Sequence, residues 1–110
     1  MAPESHMSVD RERISNIAAS IRTLIDPKRI ILFGSHAYGV PDSESDIDLL
    51  VIDDSGRDKS IVSLEISRAL FPRNYVLDLL VESPEELEKK MNLPFWHDAV
   101  TSGTVLYERE

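Results

Sequence analysis

Asp46 and Asp48 are the residues of this chain whose spacing most directly suggests chemistry. They lie at the start of the segment DIDLLVI, residues 46–52, whose other residues are apolar. A strand over these residues would place both carboxylates on one face. Neighbouring carboxylates disfavour each other's ionisation, and a hard cation such as Mg²⁺ relieves that repulsion because it prefers oxygen ligands. The alternative is a strand with a solvated acidic edge.

Gly34 and Ser35 follow the apolar run RIILF, which predicts a first strand over residues 28–33. A Gly-Ser turn that opens a helix offers free backbone N–H groups and a small hydroxyl, and both suit a phosphate. Alone, the pair would indicate no more than a turn after a strand. Beside a carboxylate metal site, it favours nucleotide chemistry.

Asp78 interrupts the apolar run NYVLDLLV, which predicts a third strand over residues 74–81. An unpaired buried carboxylate is expensive, so we expect a partner for it. An arginine, Arg73 or Arg29, is one candidate for that partner.

Other Asp-x-Asp sites fit the sequence less well. Phosphatases of the haloacid dehalogenase type have the apolar strand before the two aspartates, whereas here it follows them. The calcium loop of an EF-hand needs further oxygen ligands and a glycine soon afterwards, and Leu49, Leu50 and Val51 supply neither.

The pattern of Gly-Ser, ten intervening residues and Asp-x-Asp, with an apolar strand on either side, resembles the nucleotidyltransferase superfamily of DNA polymerase β. The likeness is greatest to its minimal nucleotidyltransferase (MNT) domains and extends over residues 9–108. The ending Gly-Thr-Val-Leu-Tyr at residues 103–107 is also similar to theirs. One departure is Tyr38, where many members carry an arginine that helps to hold the triphosphate.

The resemblance implies an enzyme that transfers AMP from ATP to a hydroxyl group, with pyrophosphate leaving. Two Mg²⁺ ions would be bound by Asp46, Asp48 and Asp78, and Asp78 would also help to deprotonate the attacking hydroxyl. Gly34 and Ser35 would hold the β- and γ-phosphates. MNT proteins are frequently antitoxins, so the expected partner is a HEPN-type helical toxin that accepts AMP on a tyrosine.

Two other functions stay open. The chain could be an acidic binding module that neutralises a partner by occlusion without turnover, which the Tyr38 departure favours. It could instead transfer a nucleotide to a small-molecule hydroxyl, with a second chain completing the pocket. A homo-oligomer is compatible with any of these functions.

The remaining apolar patterns predict the elements that position these residues. Helices are expected over residues 9–25, 60–71, 84–91 and 93–102, a short helical start over 34–39, a polar loop over 40–45 and a closing strand over 105–107. Phe95, Trp96 and Val100 are expected to close the core, with a cofactor-binding box and a partner-binding surface as the alternatives. The predicted fold is α/β: a small mixed sheet with an antiparallel first pair and helices packed mainly on one face.

Composition sets further bounds on the chain. Twelve basic and twenty acidic residues among 110 give a net charge of −8, which argues against nucleic-acid and membrane-surface binding. The absence of cysteine excludes a disulfide framework, a thiol nucleophile and a zinc-thiolate site. Residues 1–6, MAPESH, are typical of an expression-tag remnant, which leaves residues 7–110 as one domain. No secretory signal is visible, so the expected location is cytoplasmic.

Overall fold

A computed structural model describes residues 2–38 and 46–110 of the chain, and gives only the backbone for residues 2–10 and residue 38. The predicted polar loop, residues 40–45, therefore lies outside the described residues. In chain order the elements are α1 (Ala2–Ile25), β1 (Arg29–Phe33), α2 (Ser35–Tyr38), β2 (Ile47–Ile52), α3 (Lys59–Ala69), β3 (Leu77–Glu82), α4 (Pro84–Lys90), α5 (Pro94–Ser102) and β4 (Thr104–Glu108).

The four strands form one mixed sheet in the order β3-β2-β1-β4. Strand β1 is antiparallel to both β2 and β4, whereas β2 and β3 are parallel. The parallel pair follows from the connection between its strands: α3 lies between them in the chain, and a crossover of this kind is what parallel neighbours require. The predicted mixed sheet with an antiparallel first pair is confirmed.

Helices cover both faces of the sheet. Helices α1 and α3 pack on one face, against Ile30, Leu32, Leu49 and Val51. Helices α4 and α5 pack on the other, against Ile31, Phe33, Leu50 and Ile52. The prediction that the helices lie mainly on one face is wrong in this respect, because β1 and β2 are apolar at successive positions and both of their faces need cover.

Side-chain caps set the start of two helices. The carboxylate of Asp58 accepts hydrogen bonds from the backbone N–H of Ser60 and Ile61, so α3 begins at Lys59. Ser83 accepts a bond from the N–H of Glu86 at 3.2 Å, and Pro84 occupies the first turn of α4, as predicted from the sequence. Helix α1 starts earlier than the predicted residue 9, and a proline near its start is compatible with a first turn.

The carboxyl end of β3 is held by a buried acidic residue. The side chain of Glu82 is 5% exposed and lies 3.2 Å from Lys59 Nζ and 2.6 Å from Lys90 Nζ. Lys59 belongs to α3 and Lys90 to α4, which pack on opposite faces of the sheet. Glu82 therefore joins the helices of both layers to the end of one strand.

Among the described residues, no helix is both long enough and apolar enough to cross a membrane.

Candidate active site

Asp48 lies near the start of β2, between two neighbouring strands. Its Cα partner is Phe33 across the antiparallel pair and Asp78 across the parallel pair. By strand alternation, Asp48 and Asp78 share the face of Leu50, which is the face that α4 and α5 cover farther along the strands. Two carboxylates that are 30 residues apart in the chain therefore meet at one end of the sheet.

The turn that follows β1 passes directly against Asp48. Gly34 has a φ of +76°, which non-glycine residues rarely adopt, and a Cβ atom at this position would lie 2.0 Å from Asp48 Oδ2. Gly34 O accepts a hydrogen bond from the N–H of Ala37 at 3.0 Å, which starts the short helix α2. Glycine is needed here for both its conformation and its missing side chain.

The surroundings of Asp48 favour its neutral form. Partial burial raises the pKa of its carboxyl to about 6, and the hydrogen bond to Asp78 and the negative charges of Asp78 and Asp46 act in the same direction. His36 acts in the opposite direction. Because the neighbouring carboxylates repel each other when ionised, a cation bound beside Asp48 would stabilise the folded protein, whose net charge is −8.

Asp78 is exposed to solvent, which corrects the prediction of a buried carboxylate. Strand β3 is at the edge of the sheet, and on the face of Asp78 its packing against the α4/α5 cluster begins at Leu80. On the opposite face, Leu77 packs against the cluster formed with α1 and α3. The two arginines considered as partners are engaged elsewhere. Arg73 Nη1 donates to the carbonyl of Ser67 at 3.3 Å, and Arg29 Nε lies 3.9 Å from Glu108 Oε2.

Asp46 immediately precedes β2 and is exposed. Its charge acts on Asp48, but no three His, Asp or Glu side chains in the described part of the chain are grouped closely enough to form a metal site. The paired carboxylates of Asp48 and Asp78 nevertheless suit Mg²⁺, because this ion usually takes one or two protein carboxylates and completes its shell with water and substrate phosphates. Ser35, the first residue of α2, is half-buried next to the Gly34 turn.

Phe95 lies beside the site, and its burial was predicted wrongly from the sequence. It was expected to close the core with Trp96 and Val100. Those two side chains do pack against the core cluster on the face of the sheet that α4 and α5 cover. The Phe95 side chain is instead 52% exposed, with its ring 5.6 Å from that of Phe33 and 5.2 Å from that of Trp96. Helical spacing alone does not reveal this, because the exposed side of so short a helix depends on how the helix docks.

Comparison with known proteins matches residues 14–105 to the family described as "Nucleotidyltransferase domain". The chain belongs to this family. A Methanocaldococcus jannaschii protein named "Putative protein adenylyltransferase" is 40% identical to the domain over 80 residues, which are 73% of this chain and 78% of the relative. The resemblance found in the sequence is therefore confirmed at the level of the nucleotidyltransferase family.

The fold of this nucleotidyltransferase domain also recurs in a solved protein. A crystal structure described as a "putative nucleotidyltransferase" from Sulfolobus solfataricus has a TM-score of 0.62, with 94% of this chain and 87% of that one covered. The two sequences are 18% identical, so this likeness concerns the fold alone.

Proposed function

We propose that this nucleotidyltransferase domain transfers AMP from ATP to a hydroxyl group of a protein and releases pyrophosphate. The observation that carries the proposal is the pairing of Asp48 with Asp78 directly against the Gly34 turn. It joins two carboxylates that suit a cation to a glycine turn that suits a phosphate. The 40% identical relative, which is named a protein adenylyltransferase, supports AMP as the group transferred and protein as the class of acceptor.

The transfer is a substitution at the α-phosphorus of ATP. The acceptor oxygen forms a bond to this phosphorus, the bond to the bridging oxygen of the pyrophosphate breaks, and the electron pair of that bond leaves with the pyrophosphate. Asp78, which is open to solvent, takes the proton of the acceptor hydroxyl. The side chains mainly supply positioning and electrostatic stabilisation.

Asp48 and Asp78 are the paired residues that would hold Mg²⁺, and Asp46, whose charge acts on Asp48, is the third ligand that the resemblance implies. Two such ions supply neutralisation of the triphosphate charge and a lower pKa for the acceptor hydroxyl. Gly34 and Ser35 hold the β- and γ-phosphates through the backbone N–H groups and the serine hydroxyl of their turn. Tyr38 stands where an arginine is common among the resembled MNT domains, so the backbone N–H groups of the Gly34 turn would bear more of the phosphate charge here.

The acceptor we propose is a tyrosine of a HEPN-type helical toxin, which makes this protein the antitoxin of a cytoplasmic pair. Resemblance to MNT domains supports that role, and the exposure of Asp78 supports an acceptor that arrives from another chain. A small-molecule hydroxyl is the alternative acceptor. Neutralisation of the partner by occlusion, without transfer, is the alternative mode of action.

Incubation with α-labelled ATP, Mg²⁺ and a candidate toxin tests the proposal. We expect label on the toxin with the wild-type chain and none with Asp48→Asn. The matched control is Asp98→Asn, because Asp98 is an exposed aspartate of α5 whose side chain is 71% accessible. Toxin neutralisation that persists in Asp48→Asn without label would indicate occlusion, and label on small hydroxyl compounds alone would indicate the other acceptor class.

A further inference from the structure

We infer that the exposed ring of Phe95 is the platform on which the base of the bound nucleotide stacks. This inference rests on the proposed function, since it takes the phosphates of the nucleotide to lie at Asp48 and Gly34. It adds a specificity-determining residue that lies outside the carboxylate and glycine motifs.

The position of Phe95 carries the first step. Phe33 is the Cα partner of Asp48, and the Phe95 ring centroid lies 5.6 Å from that of Phe33. Phe95 is therefore one side chain removed from the carboxylate pair, on the same face of the sheet. A base is separated from its α-phosphorus by one ribose, so the ring is within reach of the base while the phosphates stay at Asp48.

The exposure of Phe95 carries the second step. The side chain is 52% exposed, and its contacts with Phe33 and Trp96 are both edge-to-face, with interplanar angles of 88°. Neither neighbour stacks parallel to it. Single exposed apolar residues are common on proteins, and Leu64 on the opposite helical layer is 51% exposed. Phe95 differs from Leu64 because it touches the partner of a site carboxylate.

The support beneath Phe95 carries the third step. Lys90 Nζ lies 4.7 Å above the centroid of the Trp96 ring and is itself held 2.6 Å from the buried carboxylate of Glu82. Glu82 thus holds Lys90, and Lys90 holds the Trp96 ring. Phe95 packs against that ring. A rigid aromatic surface loses little entropy when a planar group stacks on it, which is what an effective base platform requires.

Nucleotide binding by Phe95→Ala and Phe95→Leu tests the inference. Phe95→Leu keeps apolar volume but lacks an aromatic face, so it separates stacking from simple packing. Base–aromatic stacking energies lead us to expect both variants to bind ATP roughly five- to 100-fold more weakly than wild type in calorimetric titration, with Phe95→Tyr close to wild type. Inorganic tripolyphosphate, which has no base, should bind all four proteins equally. Trp96 is the single tryptophan of the chain, and quenching of its fluorescence by ATP gives a second readout.

Leu64→Ala is the matched control for loss of an exposed apolar side chain, and it should bind ATP normally. The inference is overturned if Phe95→Leu binds ATP as tightly as wild type does. It is also overturned if the variant loses affinity for ATP and for tripolyphosphate to the same extent. Normal ATP binding with impaired transfer to a protein acceptor would also overturn it, and would assign Phe95 to the acceptor. The proposed function fails separately: a chain that binds ATP through Phe95 but labels no acceptor contradicts the transfer and leaves the platform standing.

Discussion

Asp48 and Asp78 are partners in the parallel register of β2 and β3, and the side chain of Asp78 raises the pKa of Asp48 through a hydrogen bond and through its negative charge. A hydrogen bond between two carboxyl groups requires one of them to carry a proton. Because burial and the charges of Asp78 and Asp46 raise the pKa of Asp48 to about 6, deprotonation near neutral pH leaves repulsion that only a cation or a mutation removes.

Asp48→Asn should therefore stabilise the metal-free protein at neutral pH. The folded-state pKa of Asp48, about 6, exceeds its ordinary value of 3.8, so the folded chain holds a proton that the unfolded chain has lost. Wild-type stability falls as the pH rises from about 4 to about 6, and the loss is complete by pH 7.5. Because Asp48 is only partly buried, solvent screening reduces the gain in Asp48→Asn to about 1 kcal/mol.

Thermal unfolding in EDTA at pH 7.5 and at pH 4 measures this effect. Asp48→Asn should melt about 4 °C above wild type at pH 7.5. The difference in melting temperature should vanish at pH 4, where the side chain at position 48 is neutral in both folded proteins. A mutant that melts below wild type at pH 7.5 would contradict the repulsion.

Mg²⁺ should raise the melting temperature of the wild-type protein and leave that of Asp48→Asn nearly unchanged. Ligand that binds only the folded state stabilises it, and the carboxylate pair is the ligand set we propose. The wild-type shift should weaken as the pH falls through about 6, because protons then compete for Asp48. Equal shifts in both proteins would place the ion elsewhere. Titration with Mg²⁺ in a chelator-treated sample is the measurement.

Gly34→Ala should slow transfer roughly 100-fold and lower stability. The new Cβ would lie 2.0 Å from Asp48 Oδ2, so the carboxylate or the turn must move. A displacement of about 1 Å at a reacting centre can cost roughly 100-fold in rate. Initial rates with labelled ATP would measure the loss.

Gly56→Ala is the matched control for this glycine. Its φ of +82° imposes the same backbone strain of about 1 kcal/mol, but a Cβ there would meet no atom within 4 Å. It should lower the unfolding temperature and keep the transfer rate. Equal rates in the two alanine variants would refute the close approach of Gly34 to Asp48.

Asp78→Asn should slow transfer about 10²- to 10⁴-fold if Asp78 takes the proton of the acceptor hydroxyl. Asp98→Asn, on the exposed side of α5, should keep wild-type rates. Initial rates with labelled ATP would measure both variants. An Asp78→Asn variant that transfers AMP at the wild-type rate would contradict the role of Asp78 as the base.

Glu82→Gln should destabilise the fold by about 1–3 kcal/mol, because it removes a buried carboxylate on which two lysines converge. Glu65→Gln is the matched control, since it breaks an ion pair with Arg57 on the surface, where such pairs contribute little. Urea unfolding of both variants would show the difference. Similar midpoints would mean that burial adds nothing to the Glu82 interactions.

The sequence was sufficient for the order of the elements and for the family. Apolar runs beside Gly34 and Asp46 predicted β1 and β2, and the chain reversal between them predicted their antiparallel pairing, which is confirmed. The parallel alignment of β3 was not predicted, because the register of a strand beyond a helical crossover depends on how that helix packs. The sequence singled out Asp48 and Asp78, but only the register shows that they are direct partners.

Other features depended on tertiary packing. Asp78 interrupts an apolar run and was expected to be buried, but β3 is an edge strand, and on the face of Asp78 its packing against α4 and α5 begins only at Leu80. Phe95 was expected in the core because it is apolar. Apolar character alone does not specify which side chains of a short helix stay exposed. The catalytic and binding roles of Asp46, Asp48, Asp78, Gly34 and Ser35 stay predictions for the assays above.

The two lysines that hold Glu82 have a consequence at the far end of its strand. In the described part of the chain, the strand that pairs with β3 is β2, on one side of it. Sliding β3 by a single residue would exchange its two faces and turn Asp78 away from Asp48. Lys59 and Lys90 resist that slide from opposite layers. The alignment of the carboxylate pair is thus supported four residues away, by side chains outside the carboxylate and glycine motifs. A substitution there would reduce transfer without altering Asp48, Asp78 or Gly34.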